Sequence, residues 1–227
     1  MVLLENIEKA IEEGKIRQSK ELVAQALAEG TSAGEILNGA LLPGLKAVGR
    51  RFSRNTGMVS DMLASAKALN ECLDIVKPGM MPVGKTPIGR ACIGTVRGDL
   101  HDIGKNIVRA LLESRGIEVI DLGVDVAPEE FVRAVVEDRC DLVCCSALLT
   151  ATVPEMKRVV DALRDADVRD RVLVMVGGVP VTASYCRRIG ADIYTLDGFA
   201  AADKAEEALL AKRQREAAVN SIRRMER

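Results

Sequence analysis

Histidine occurs once in the 227 residues, at His101; tryptophan is absent, and tyrosine and phenylalanine occur only twice and three times. A single histidine excludes any zinc site built on two histidines and confines histidine chemistry to one place. The shortage of aromatics leaves no platform for stacking bases, so the 48% apolar content must build aliphatic cores from Ala, Val, Leu, Ile and Met. An excess of either charge is also missing. The 32 Lys and Arg stand against 33 Asp and Glu, which argues against nucleic acid or a membrane surface as a principal partner. No run approaches the roughly 18 uncharged apolar residues of a membrane span, and the opening MVLLENIEKAIEEGK lacks the basic region of a signal peptide. Cys72, Cys92, Cys140, Cys144, Cys145 and Cys186 form no CxxC pair and read as buried thiols of a reducing, cytoplasmic setting. Neither GxGxxG nor GxxxxGK[ST] occurs, which counts against dinucleotide and nucleoside triphosphate binding.

What is present changes character near Pro82. Before it, apolar residues recur at helical spacing, as in Leu4, Ile7, Ile11 or Leu37, Leu41, Leu45, Val48. Breaks at Gly14, at Gly30-Thr31-Ser32 and around Asn55-Thr56-Gly57 divide this part into four helices, roughly 2–13, 15–29, 32–53 and 58–78. Pro43-Gly44 should kink or break the third. Short loops suit an antiparallel bundle. Lys77-Pro78-Gly79-Met80-Met81-Pro82-Val83-Gly84 tolerates neither helix nor central strand and reads as a linker, giving a helical domain with linker over 1–84 and a second domain over 85–227.

The second part alternates short β-rich runs (90–96, 117–121, 141–146, 172–176 and 191–195) with helical stretches near 105–115, 128–139, 153–168, 180–189 and 199–216. Such a succession predicts an α/β domain, a five-stranded parallel sheet of flavodoxin-like order 2-1-3-4-5 with helices on both faces. Ligands bind beyond the carboxyl ends of strands at the switch point, here between the first and third strands. The loop after the first strand, Arg97 to Asn106, holds the only histidine. The loop after the third carries Ser146, Thr150 and Thr152 without a charge, and Gly177-Gly178 follows the fourth. Each feature also has a plain structural use: a solvated histidine, Asp99 or Asp102 as helix N-caps, Ser146 and Thr150 as turn residues, the glycines as a strand-to-helix turn. All of them converge on one crevice.

Asp99-x-His101-x-x-Gly104, followed by Ser146-x-Leu148 and Gly177-Gly178, resembles the signature of flavodoxin-like cobalamin-binding domains, found in methionine synthase, in methylmalonyl-CoA and glutamate mutases and in corrinoid methyltransferase proteins. Phe52, Met62-Leu63-Ala64-Ser65-Ala66 and Lys77-Pro78 resemble the helical cap of the methyl-transferring branch. Together the two resemblances cover nearly the whole chain. They imply a small corrinoid methyl-carrier protein of a methyltransferase system, not catalytic alone, whose cobalt cycles between Co(I) and methyl-Co(III).

The resemblance also implies roles. The bound group would be cobalamin or a related corrinoid, base-off and His-on, its own benzimidazole displaced into the domain and His101 taking the lower axial position on cobalt. Asp99 would orient the imidazole and Thr152 would end the relay as the hydroxyl at the start of the domain's third helix. Gly98, Leu100, Asp102, Gly104 and Leu148 belong to the cofactor-binding set. Ser146 and Thr150 would line the nucleotide tail, with Gly177, Gly178 and the turn near Gly198 leaving it room. Caps of this family commonly carry an aromatic-Leu-Pro segment where Met58-Val59-Ser60 stands here; Met58 then either shields the upper cobalt face or belongs to the bundle core. Implied partners are a substrate-specific methyltransferase, a second methyltransferase using tetrahydrofolate or a thiol coenzyme, and a reductive activator. A cobalamin-dependent sensor and the small subunit of an adenosylcobalamin mutase are the alternatives. The basic Lys212-Arg213-Gln214-Arg215 and Arg223-Arg224 either dock a partner or form a solvated helix end.

Overall fold

The computed structural model describes residues 2–53, 58–80 and 86–225, in two compact units, Met1–Val83 and Gly84–Arg227. The break expected at Asn55-Thr56-Gly57, the linker residues from Met81 to Gly84 and the side chains of Phe52, Arg223 and Arg224 lie outside what is described.

The first unit is helical: α1 (Val2–Glu12), α2 (Ile16–Ala28), α3 (Ala33–Ile36), α4 (Leu42–Ser53) and α5 (Val59–Val76). The reciprocal box of Ser32 and Glu35 starts α3, the hydroxyl accepting from Glu35 N–H while the carboxylate accepts from Ser32 N–H. The expected distortion at Pro43-Gly44 appears one turn earlier, as a π-helical stretch Leu37–Leu41 in which Leu42 N–H reaches back five residues to the Leu37 carbonyl. Proline has no N–H for the carbonyl four residues back, and the widened turn absorbs that deficit. Gly44 then lets α4 lie against α1, since a Cβ there would meet the Glu8 carbonyl at 2.7 Å and Ile11 at 2.8 Å. Ile7, Ile11, Val23, Ile36, Leu41 and Leu69 form the fully buried aliphatic interior.

The second unit is an α/β layer structure: β1 (Gly89–Val96), α6 (Ile103–Ser114), β2 (Ile117–Val126), α7 (Pro128–Val136), β3 (Leu142–Ser146), α8 (Val153–Asp165), β4 (Leu173–Gly177), α9 (Ala183–Ile189), β5 (Ile193–Tyr194) and α10 (Gly198–Met225). All pairings are parallel and the order is β2-β1-β3-β4-β5, as the alternation of runs predicts. One face carries Cys92, Val96, Val143, Cys145, Val174 and Val176 into the main core with Phe131, Val159 and Val160. Gly94 makes room for Phe131, whose ring would come within 2.8 Å of a Cβ. The six cysteines are buried.

Three boundaries differ from expectation. β2 runs on to Val126 past Asp121, Gly123 and Asp125, because an edge strand needs a partner on one side only and the register slips at Ile93/Gly94 and Gly94/Val96 accommodate the extra residues. β5 shrinks to two residues, held by Met175 and Val176 alone. α10 continues to Met225, and Lys212 in it is tied to Asp141 at 2.7 Å, so that lysine anchors the helix to the start of β3. No helix among the described residues is long and apolar enough to cross a membrane.

Candidate functional site

Beyond Val96 the chain turns through Gly98 (φ +80°), a conformation glycine adopts without strain, and presents Asp99 and His101 before α6 begins. The loop is fixed from several sides. Asp125 N–H donates to the Asp99 carbonyl (3.0 Å) and its carboxylate accepts from Gly98 N–H (2.6 Å), so the extension of β2 clamps the turn. Thr95 donates to the His101 carbonyl at 2.7 Å.

Asp99 is fully buried, whereas the His101 side chain is 50% exposed. One carboxylate oxygen, Oδ1, lies 2.7 Å from His101 Nδ1. The other, Oδ2, accepts from Thr152 Oγ1 (2.7 Å), Leu148 N–H (2.8 Å) and Leu149 N–H (3.1 Å). Burial alone would push the Asp99 carboxyl up; the bonds from Thr152, Leu148, His101 and Leu149 outweigh it and hold the group well below the usual carboxylate range. A carboxylate only accepts, so the ring must carry its proton on Nδ1, which leaves the Nε2 lone pair free on the exposed side. The relay Thr152–Asp99–His101 thus joins the turn after β3 to the turn after β1.

Leu148, Leu149 and Thr150 are all exposed, because the turn directs its backbone N–H groups inward at Asp99 and its side chains outward. Leu100 and Val179 are exposed as well, at 72% and 87%, and Leu196 at 90%. These leucines and valine occupy the loops after β1, β3, β4 and β5, an apolar surround at the carboxyl end of the sheet suited to a flat macrocycle. Asp102 occupies the N-cap position of α6, with Asn106 Nδ2 3.3 Å from its Oδ2.

Behind this rim, a cavity of about 510 Å3 runs between the sheet and the helices α6 and α10, within the roughly 300–1,000 Å3 usual for small-molecule sites. Ser146, Gly104, Gly177, Gly178 and Gly198 line it; Thr150 does not, for the reason just given. The two adjacent glycines do different work. Gly177 has nothing within 4 Å of a notional Cβ, so its missing side chain is open cavity, whereas at Gly178 (φ +131°) a Cβ would collide with the Ala147 carbonyl at 1.8 Å. Gly98, Asp99, Leu100, His101, Asp102, Leu148 and Thr152 gather at the rim in one constellation. Met58 belongs to the other unit, at the N-cap of α5 and 68% exposed, so a place in the bundle core is excluded.

Sequence reasoning misses several supports. Lys105 lines the cavity yet is buried, donating to Asp121 (2.6 Å) and Asn106 (2.8 Å), and Arg109 donates to the other Asp121 oxygen at 2.7 Å. Asp121 is thereby held below the usual carboxylate range, burial being outweighed by Lys105, Gly123 N–H and Arg109. A polar residue ending an apolar run reads as a strand end; only the placing of α6 beside β2 shows its ion pairs with Lys105 and Arg109. The donor set fits a corrinoid: one oriented nitrogen on an apolar rim, beside an apolar cavity.

Comparison with known proteins agrees. Two family models, each described as a B12 binding domain, match residues 3–77 and 89–210. Trimethylamine corrinoid protein 1 of Methanosarcina mazei is 36% identical over 192 residues, 84% of this chain and 89% of that protein. Dimethylamine corrinoid protein 3 of Methanosarcina acetivorans is 35% identical over 208 residues, 92% and 97% of the two chains. Among solved structures, the monomethylamine corrinoid protein of Methanosarcina barkeri superposes with a TM-score of 0.75 at 31% identity, covering 91% of this chain and 98% of that one. The methanol:cobalamin methyltransferase complex of Methanosarcina barkeri gives 0.54 at 29% identity, covering 92% and 80%.

Proposed function

This chain belongs to the B12-binding corrinoid proteins of methyltransferase systems, and from that premise we propose that it is the methyl carrier between two methyltransferases, with His101 as the protein's ligand to the corrinoid. The observation that carries the residue assignment is the buried Asp99 carboxylate bridging Thr152 and His101 Nδ1, which leaves Nε2 as the outward donor. When bound, the corrinoid supplies the cobalt that takes up a methyl group and passes it on.

The chain's own residues orient the nitrogen and exclude water. Asp99 fixes the imidazole plane and tautomer, so Nε2 is ready to donate without reorganisation. Whether or not Nε2 is engaged, the ionised Asp99 keeps its contact with Nδ1 and holds the ring in the same orientation. Thr152, Leu148 N–H and Leu149 N–H keep Asp99 ionised throughout. Leu100, Leu148, Leu149, Val179 and Leu196 would hold the corrinoid on an apolar surface and shield the nitrogen from water. The cavity between the sheet and α10, lined by Ser146 and Gly177, would hold the nucleotide tail of the corrinoid. The role of Met58 rests on the resemblance alone.

One methyltransferase would load the carrier from a methylated substrate, methylamines being what the names of its relatives suggest. The acceptor side would be served by a second, using tetrahydrofolate or a thiol coenzyme. A corrinoid protein with this helical unit is distinguished from a mutase subunit by its cofactor preference. The test is visible spectroscopy of the purified protein with hydroxo-, methyl- and adenosyl-cobalamin. The expected result is a base-off, His-ligated spectrum with methylcobalamin that His101→Ala abolishes while corrinoid still binds. An unchanged spectrum in His101→Ala overturns the ligand assignment.

A further inference from the structure

The tail cavity is not uniform along its length. Parallel register aligns Ile93, Cys144 and Met175 in one row, and Thr95, Ser146 and Gly177 in the row two residues nearer the carboxyl ends. The pleat sends both rows to the same face, about 7 Å apart along the strands. Ile93, Cys144, Ser146, Met175 and Gly177 all line the cavity. Its outer part therefore offers the Ser146 hydroxyl, whereas its inner end has a floor of isoleucine, thiol and thioether under Ile107 and Val108 of α6. Burial pushes the Cys144 thiol well up, so that group stays neutral.

The charged groups nearby are already committed. Lys105 donates to Asp121 and Asn106, and both Asp121 oxygens are occupied, by Lys105 with Gly123 N–H and by Arg109. At the outer end Thr195 donates to the Asp197 carbonyl, and the Asp197 carboxylate accepts from Ala200 N–H.

Resting on the reading that this cavity takes the nucleotide tail, we propose that the Ile93–Cys144–Met175 floor selects among corrinoids by the polarity of their tail base, favouring a methylated benzimidazole over a hydroxylated or amino-bearing base. A methyl group on the base meets an apolar surface there. A hydroxyl or amino group would give up its water and find no partner, a loss that lowers affinity by an order of magnitude or more.

The test titrates the full chain with cobamides carrying dimethylbenzimidazole, hydroxybenzimidazole or adenine, and with cobinamide, which has no tail, following the visible spectrum. The quantity read is the ratio of dissociation constants between hydroxylated and methylated tails, compared between the natural protein and two variants, Met175→Gln and Cys144→Ser. Each corrinoid's own cost of releasing its base from cobalt cancels in that comparison. Met175→Gln should lower the ratio about fivefold or more, and Cys144→Ser should move it the same way, with cobinamide affinity unchanged. A ratio that stays constant in both variants overturns the proposal, as does tighter binding of the hydroxylated form by the natural protein, which would make the Lys105 ammonium its partner. Binding of cobinamide but of no cobamide would remove the tail assignment itself. Failure of every corrinoid to bind would remove the proposed function with it.

Discussion

Asp99 decides what His101 can do. An amide at that position can keep accepting from Thr152, Leu148 and Leu149, but its NH2 would then face Nδ1 and require the ring to accept there. The ring proton would move to Nε2. Asp99→Asn should therefore fold, lose the His-ligated spectrum and bind corrinoid about 10- to 100-fold more weakly. Thr152→Val removes one bond to a buried charge and should cost roughly 1–3 kcal/mol in urea unfolding, whereas Thr152→Ser should recover most of it. The same carboxylate sets an acid limit. Its pKa in the folded chain lies below the unfolded value of about 3.9, so its contribution is complete above that pH and is lost as pH falls towards the folded value. Urea midpoints measured between pH 6 and pH 2 should fall less steeply below about pH 4 in Asp99→Asn than in the natural protein. At this scale His101, Asp99 and Thr152 are legible from spacing together with the family resemblance. The roles of Asp125, Thr95 and the Leu148 and Leu149 amides are not, because each of these bonds has a main-chain group on at least one side, and a main-chain partner leaves no residue-type signature.

Elements position these groups through register and packing. The β1 and β3 turns meet because the two strands are hydrogen-bonded neighbours that end together at Thr95 and Ser146, which brings residues about fifty apart in sequence into contact. The order of strands follows from alternating runs and right-handed crossovers, and so is readable in advance. The extent of β2 is not, because Gly123 and Asp125 look like turn residues until the edge position of the strand excuses them. Gly177-Gly178 illustrates the same limit. Gly178→Ala should destabilise the domain severely, because the Ala147 carbonyl and a φ of +131° both oppose a side chain. Gly177→Ala should fold normally and weaken binding of tailed corrinoids while leaving cobinamide binding intact, as isothermal titration with the two ligands would reveal. Two identical letters in sequence answer to different demands, one from the backbone and one from the cavity.

For the molecule as a whole, the helical unit and the α/β unit each carry their own interior, and that of the α/β unit is aliphatic around the one buried ring of Phe131. A corrinoid held only by the folded α/β unit should stabilise it by about 2.7 kcal/mol at a hundredfold excess over its dissociation constant. Calorimetry should then show the corrinoid raising the transition of that unit by several degrees, with His101→Ala reducing the shift. The sequence by itself determined the class of each half, the sheet order and the family, because hydrophobic period, turn residues and a short motif are local properties of the chain. Its single histidine is compatible with a site needing one protein nitrogen. Only the tertiary structure decided which ring nitrogen stays free, which glycine faces the cavity, and how Asp121 pairs with both Lys105 and Arg109. Those outcomes depend on distances between residues remote in sequence, set by strand register and by the exclusion of water from Asp99.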